Sequence, residues 1–153
     1  AHQIVPNIKT IGVALSGATV PEVGKPGFEL AADEVEYGVG IHGEPGYRRE
    51  KLQNSKQLAT ELISRLKAAH HLTAGEHYAV MVNGLGATPL MEQYVFMNDV
   101  LDQLAAEKVE VEFTKVGNYM TSLDMAGVSL TLMKLIEGSW TDKLAEPVTT
   151  IGW

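Results

Sequence analysis

The chain has 153 residues, of which 45% are hydrophobic and 20% charged, which is enough for one domain with a continuous core. Nineteen acidic residues against twelve basic ones give a formal net charge of −7, so we expect neither nucleic acid nor a membrane surface as a partner. Without cysteine, disulfides and thiol catalysis are excluded. The sequence has no signal-peptide pattern and no apolar stretch of membrane-spanning length, so we expect a cytoplasmic location.

The first part of the chain predicts two strands separated by a long loop. Residues Ile8–Leu15 are mostly apolar and predict a strand, and the segment 16–28, with two prolines and several glycines, predicts a loop of a length that often carries function. In 34–41, apolar residues alternate with polar or small ones, which is the period of a half-buried strand. We expect this strand to run into His42 and to stop at the turn 43–46.

An amphipathic helix is predicted after this turn. Either Asn54 or Ser55 can cap its first turn, and leucines recur at helical spacing from Leu58 to Leu66. We expect the helix to end near His71.

The next elements predict a βαβ unit. The continuous apolar run 78–82 is typical of a strand covered on both faces, and the alternating segment 109–114 predicts the second strand. Between them we expect a helix that Thr88 caps and that Pro89 opens. The predicted buried stripe of this helix consists of Leu90, Tyr94, Met97, Leu101 and Leu104.

The last third predicts a turn at 122–127, a strand from Val128 to Leu135, and a further edge strand in the tail 148–153. No internal repeat or linker divides the chain. The predicted fold class is therefore α/β, with a single domain over residues 1–153 that contains a mixed β-sheet and at least two packing helices.

His42 is the best-placed nucleophile or base in the chain. Glycines on both sides, Gly40 and Gly43 among them, remove side chains and let a ligand or another backbone come close. The spacing also matches the dinucleotide-binding pattern G-x-G-x-x-G, but here a turn follows where that motif requires a helix. From spacing alone, a bulged strand end with a structural histidine is an open alternative.

Three other groups of polar residues are weaker candidates. The loop 83–89 resembles a phosphate cradle without the lysine of a P-loop, so a packing turn is the alternative. Asp124 could act as an acid or base, or bond the backbone of its own turn. A metal site made of His70, His71 and His77 would need further ligands that the spacing does not supply, and we expect no metal on this chain.

Four segments carry distinctive sequences, and they occur in the order Thr19–Pro26, Gly38–Gly46, Val82–Pro89 and Thr121–Gly127. Together they are similar to the K-subunit family of dihydroxyacetone (glycerone) kinases. The resemblance covers most of the chain but only the carboxy-terminal half of a family K subunit, so the amino-terminal domain is expected to be absent here. It implies a two-domain α/β subunit that forms a homodimer when complete.

The resemblance also implies a role for His42. In the family, the histidine of the motif G-I-H-G-E-P-G binds the substrate ketone, and an imidazole nitrogen can add to a carbonyl carbon to form a hemiaminal. Gly40 and Gly43 would then leave room for the adduct. Glycerol lacks such a carbon and would be excluded. The resemblance therefore implies a role in glycerol metabolism, with dihydroxyacetone and not glycerol as the ligand.

Phosphate is expected to come from a partner. The resemblance implies that ADP or ATP with Mg²⁺ lies on a separate L subunit, and that this chain holds no cofactor. Whether the donor is ATP or a protein of the phosphotransferase system stays open, although stand-alone K chains favour the latter.

Two readings of function follow from the family. The first is a kinase subunit, whose acid–base groups belong to the absent half, so that the chain alone is expected to be inactive. The alternative is a non-catalytic dihydroxyacetone sensor that activates a transcriptional regulator. A purely structural domain with His42 buried and inert is a third possibility.

Overall fold

The computed structural model describes residues 2–150 and 152–153. Its strands are β1 (Ile8–Ala14), β2 (Glu34–Tyr37), β3 (Arg48–Lys51), β4 (His77–Gly84), β5 (Glu110–Gly117) and β6 (Gly127–Lys134). Its helices are α1 (Ile4–Asn7), α2 (Ser55–His70), α3 (Leu90–Ala106) and α4 (Ser139–Ala145).

The strands form one six-stranded sheet in the order β3-β2-β1-β6-β4-β5. Strands β4 and β5 pair in parallel, with α3 between them in the chain, and the other neighbouring strands pair antiparallel. The predicted α/β class, the mixed sheet and the βαβ unit are therefore confirmed.

Helix α2 begins and ends where the sequence predicts. Asn54, and not Ser55, is the N-cap: its side-chain oxygen accepts a hydrogen bond from the Gln57 N–H at 3.0 Å, while the Gln57 side chain accepts one from the Asn54 N–H at 3.3 Å. His71 ends the helix in the left-handed conformation with φ of 52°.

Helix α3 begins differently from the prediction. Pro89 is its N-cap, and Thr88 does not cap it. Instead, the Thr88 hydroxyl accepts a hydrogen bond from the Gly127 N–H at 2.7 Å and lies 2.8 Å from the Gly127 carbonyl oxygen, to which it donates. Thr88 therefore ties the start of α3 to the start of β6.

The predicted stripe of α3 is partly wrong. Leu90 and Tyr94 are exposed, whereas Gln93 is fully buried in their place. The Gln93 amide nitrogen donates to the Thr88 carbonyl at 2.9 Å and to the Asn118 side chain at 2.7 Å, so the nitrogen of this buried amide is satisfied. The buried residues of α3 are Gln93, Phe96, Met97, Val100 and Leu104.

The sheet has two unlike faces. Helices α2 and α3 cover the first face, where Leu62, Val100 and Leu130 belong to the main hydrophobic core. Neighbouring strand residues point to opposite faces, so Ala14 and Met133, which belong to separate small clusters, mark the second face. These clusters cover the second face only at its two ends.

Strand β2 is shorter than predicted and does not reach His42. It ends at Tyr37, because the chain turns at Gly38, which adopts φ of +83°, although the Gly38 N–H still donates to the Gly12 carbonyl of β1 at 2.7 Å. The chain then crosses the second face, so close to Gly12 that a Cβ there would lie 2.2 Å from the Val39 oxygen. The alternation beyond Tyr37 reflects burial of Val39 against that face rather than strand pairing.

Three elements, α1, β3 and α4, are absent from the sequence-based prediction, and one predicted element is not found. Residues 148–150 and 152–153 lie in no strand, and Ile151 falls outside the described residues. Side-chain packing holds the end of the tail, since the Trp153 ring stacks on Phe113 at 6.2 Å between centroids and lies 3.6 Å from Lys115 Nζ. The predicted edge strand is therefore wrong for the described part of the tail.

Candidate functional site

His42 lies at the tip of a tight turn within residues 38–46, which we call the histidine loop. The Gly43 N–H donates to the Gly40 carbonyl at 3.3 Å, so Ile41 and His42 are the central residues of this turn. Gly43 has φ of +76°, a backbone conformation that favours glycine. At the end of the loop, a Cβ on Gly46 would lie 1.9 Å from a backbone oxygen. The glycines therefore set the path of the loop.

The imidazole of His42 is open to solvent. Its side chain is 80% exposed, and Nδ1 lies 4.0 Å from Oε2 of Glu44, which is 76% exposed. The prediction that His42 could be buried is therefore wrong.

His42 lines a cleft of about 370 Å³. Its lining residues are Ala18, Val20, Gly27, Ile41, His42, Gly43, Thr121, Ser122 and Leu123. Three segments that are far apart in the chain, 18–27, 41–43 and 121–123, meet here. The cleft has the size of a small-molecule site, with apolar walls and a few hydroxyl groups.

The predicted glycines fall on different sides of the histidine loop. Gly43 lines the cleft with His42, whereas Gly40 lines a neighbouring groove of about 350 Å³ over the second face of the sheet. Ile41 lines both. A Cβ on Gly40 would meet no atom within 4 Å, so the described part of the chain leaves the space beside it open.

Asp124 joins two of the segments that form the cleft, but does not line it. Its carboxylate accepts a hydrogen bond from the Thr19 N–H at 2.7 Å. This bond lowers the pKa of Asp124 below its ordinary value, against a smaller opposing effect of burial. The structural interpretation of Asp124 is supported, although its main partner is another loop and not its own turn.

The loop 83–89 is a packing turn. The N–H groups of Leu85 and Ala87 donate to the carbonyls of Gly127 and Met125, both at 3.0 Å, so they do not point outward to a phosphate. A Cβ on Gly86 would lie 2.0 Å from the Leu123 oxygen, which explains the glycine at that position. The packing alternative is therefore confirmed for these N–H groups.

Sequence reasoning missed Asn83 as a structural residue near the site. It is 1% exposed, and its side-chain oxygen accepts hydrogen bonds from the N–H groups of Tyr119 and Met120, both at 2.8 Å. Its amide nitrogen donates to the Met120 carbonyl at 2.7 Å. Asn83 therefore fixes the segment that leads into Thr121 and Ser122.

Ser122 is the second residue that sequence reasoning missed. It is 5% exposed and lines the cleft beside His42. Its N–H donates to the Leu85 carbonyl at 2.7 Å, and its carbonyl accepts from the Met125 N–H at 3.0 Å. The only signal in the sequence was its place in the segment Thr121–Gly127, where Asp124 drew attention instead.

The other histidines lie in structural settings. Nε2 of His70 is 3.1 Å from the Leu132 carbonyl, and burial lowers the pKa of His70. Nδ1 of His77 is 2.6 Å from a Glu112 oxygen. Within residues 2–150 and 152–153, no three His, Cys, Asp or Glu side chains are grouped as metal ligands would be. Nor does any helix in the same part of the chain have the length and apolarity needed to cross a membrane.

Known proteins resemble the whole chain. The Dak1 domain family matches residues 1–152. The chain is 61% identical over 153 residues to the dihydroxyacetone-binding subunit DhaK of the PTS-dependent dihydroxyacetone kinase of Lactococcus lactis subsp. lactis, covering 100% of this chain and 46% of that subunit. It is 47% identical over 155 residues to the DhaKLM operon coactivator DhaQ of the same organism, covering 100% and 47%.

A solved structure extends this likeness to the fold. The chain superposes on a dihydroxyacetone kinase operon co-activator, Dha-DhaQ, with a TM-score of 0.91 and 48% identity, covering 96% of this chain and 46% of that chain. The fold and the cleft thus define an α/β domain that presents an accessible histidine at the edge of a mixed sheet. The chain belongs to the Dak1 domain family, and it spans about half the length of the relatives described.

Proposed function

We propose that this chain is the carboxy-terminal, dihydroxyacetone-binding domain of a dihydroxyacetone kinase K subunit. The observation that carries the proposal is the exposed imidazole of His42 at the tip of a turn, inside a cleft of small-molecule size. The 61% identity to a dihydroxyacetone-binding subunit supports the choice of ligand.

Capture of the ketone follows from the chemistry of a neutral imidazole. Nε2 of His42 attacks the carbonyl carbon, and the new N–C bond forms as the π pair of the carbonyl moves to oxygen. That oxygen takes a proton and becomes a hydroxyl. Nδ1 loses its proton, so the ring in the adduct is again neutral. The Glu44 carboxylate, 4.0 Å from Nδ1, is the nearest acidic group to receive that proton.

Covalent capture gives a specificity that hydrogen bonds to hydroxyl groups cannot supply. Dihydroxyacetone and glycerol both carry two terminal hydroxyls, and only the ketone has an electrophilic carbon. A site built on hydroxyl contacts would therefore discriminate weakly, whereas a nucleophile excludes glycerol from the bound state altogether.

Delivery of phosphate requires a second surface over the cleft. Val20, Ile41 and Leu123 line the cleft and are exposed, so they form an apolar rim around it. A rim of this kind suits an L subunit that carries the nucleotide with Mg²⁺ and excludes water from the phosphoryl transfer. The name of the similar Lactococcus subunit, PTS-dependent, favours a phosphotransferase-system protein as the original donor.

The second candidate is a dihydroxyacetone sensor that activates a transcriptional regulator. The 47% identity to an operon coactivator favours it. Both candidates use His42 in the same way, so they differ in what happens after capture. Assay of phosphate transfer to dihydroxyacetone by the intact protein, with a proven L subunit and each donor, separates them: turnover identifies the kinase, and adduct without turnover identifies the sensor.

The capture step is tested by native mass spectrometry of the intact protein with dihydroxyacetone. We expect the mass to rise by one ligand, and His42→Ala to abolish the increase. His2→Ala, which removes another exposed histidine, is the matched control and should keep the adduct. An adduct that persists in His42→Ala would move the nucleophile to another residue and contradict the proposal.

A further inference from the structure

Ser122 is nearly buried beside the turn of His42, and its hydroxyl has no hydrogen-bond partner among the described residues. The residue is 5% exposed, and both of its backbone groups bond within the protein. Among residues 2–150 and 152–153, the side-chain polar atoms that are buried from solvent and have no hydrogen-bond partner belong to Arg48, Ser55 and Gln93. The hydroxyl of Ser122 is not one of them, so it is not closed off from solvent. It therefore opens into the cleft.

The hydroxyl also lies next to the turn that carries the imidazole. A Cβ built on Gly43 would be 3.5 Å from Ser122 Oγ, and Gly43 directly follows His42 in the tip of that turn. Both His42 and Ser122 line the same cleft. A small molecule bonded to the ring is thus within reach of a single, nearly buried hydroxyl donor.

We propose that Ser122 donates a hydrogen bond to the oxygen that was the carbonyl oxygen of the captured ketone. The inference rests on the proposed capture by His42 and adds the group that receives the charge of that step. As the N–C bond forms, negative charge develops on this oxygen before its proton arrives, and a preorganised hydrogen-bond donor stabilises it. Ser122 is preorganised because the bonds to Leu85 and Met125 hold its backbone.

Removing the hydroxyl tests the role directly. In the intact protein, Ser122→Ala should still form the adduct at saturating ligand, but the half-saturating concentration should rise about three- to tenfold, the worth of one hydrogen bond. Hydroxyacetone should show the same factor, because it shares the carbonyl oxygen. Thr114→Val, which removes an exposed hydroxyl from β5 outside the cleft, is the control and should leave the binding of both ligands unchanged.

The outcomes separate this inference from the proposed function. If the wild-type protein forms no adduct, capture by His42 fails and the role of Ser122 falls with it. If the wild type forms the adduct and Ser122→Ala binds equally well, only the role of Ser122 is overturned. A loss confined to dihydroxyacetone also overturns it, since the second hydroxyl alone distinguishes the two ketones.

A second variant, Ser122→Cys, tests the position of this side chain even if Ser122→Ala perturbs the fold. The chain has no cysteine, so Ser122→Cys places one thiol in the cleft with nearly the shape of serine but with a weak donor. We expect a small methanethiosulfonate to convert the thiol at position 122 to a methyl disulfide with loss of sulfinate, as read by peptide mass mapping, and dihydroxyacetone to slow that reaction at least fivefold. A thiol that stays unreactive, or that reacts equally fast with ligand present, would place the side chain away from the ligand.

Discussion

The turn that presents His42 depends on a glycine in the left-handed conformation. Gly43→Ala puts a side chain where φ is +76° and where Cβ would lie 3.3 Å from the Ala18 Cβ. An alanine in this conformation costs about 1–2 kcal/mol, and the less flexible unfolded chain offsets about 0.4–1 kcal/mol of it. The free energy of unfolding should therefore fall by about 1 kcal/mol.

A second glycine provides a control with equal backbone strain. Gly75 has φ of +80°, and a Cβ there would meet no atom within 4 Å. Gly75→Ala should lose a similar free energy of unfolding in urea titrations and form the adduct normally. Gly43→Ala should raise the half-saturating dihydroxyacetone concentration at least about tenfold, since small displacements of a reacting group are costly. Equal adduct formation in both variants would refute the view that this turn positions the imidazole.

Two further predictions concern Gly40, beside the candidate site, and Glu76, which directly precedes β4. Gly40→Ala and Gly138→Ala should each raise the free energy of unfolding by about 0.4–1 kcal/mol, because a Cβ meets no atom within 4 Å at either position and neither has a positive φ. We expect only Gly40→Ala to weaken adduct formation; normal capture by this variant would remove Gly40 from the binding site. Burial opposes ionisation of Glu76, but hydrogen bonds from Lys134, Thr73 and Tyr78 prevail and lower its pKa from 4.5 to about 2. The stability from this shift is full above pH 4.5 and is lost as the pH falls towards 2. Because Lys134 is 32% exposed, we expect the free energy of unfolding to fall by only about 1–2 kcal/mol between pH 5 and pH 3. Urea titrations at the two pH values should show that Glu76→Gln removes this loss.

The sequence predicted the elements whose burial pattern is local. Helix α2 carries its own cap at Asn54 and a regular apolar stripe, and the βαβ unit shows one buried and one alternating strand. In each case, neighbouring residues along the chain report which face is buried. The predicted stripe of helix α3 was wrong at Gln93, because the partners of its amide nitrogen, the Thr88 carbonyl and the Asn118 side chain, are brought together only by the folded chain.

The sequence did not predict strand β3, because its residues are charged. Arg48–Lys51 forms an edge of the sheet, where polar side chains discourage pairing with other molecules. Its partners are distant: Nε of Arg49 donates to Glu36 at 2.9 Å, and an Arg48 nitrogen lies 2.7 Å from Glu61. The order of polar and apolar residues along the chain does not show that these arginines pair with distant glutamates.

The sequence singled out His42 as a candidate site residue but did not reveal which residues surround it. The glycines on both sides singled out His42, while Ser122 and Ala18 reach the cleft only because separate loops meet there. The bond between Thr19 and Asp124, 105 positions apart, holds two of these loops together. Spacing along one loop cannot reveal it.

The exposure of His42 also affects how long a captured ketone would stay bound. A ring that is 80% exposed is accessible to a ketone, but water reaches it equally well, and its side chain has rotational freedom. Hemiaminal formation is reversible, so an open cleft would release the ligand readily. Covering the apolar rim formed by Val20, Ile41 and Leu123 would restrict the ring, exclude water and strengthen the bond that we assign to Ser122. For both the kinase and the sensor, the surface that closes this cleft therefore determines how long the ketone stays bound.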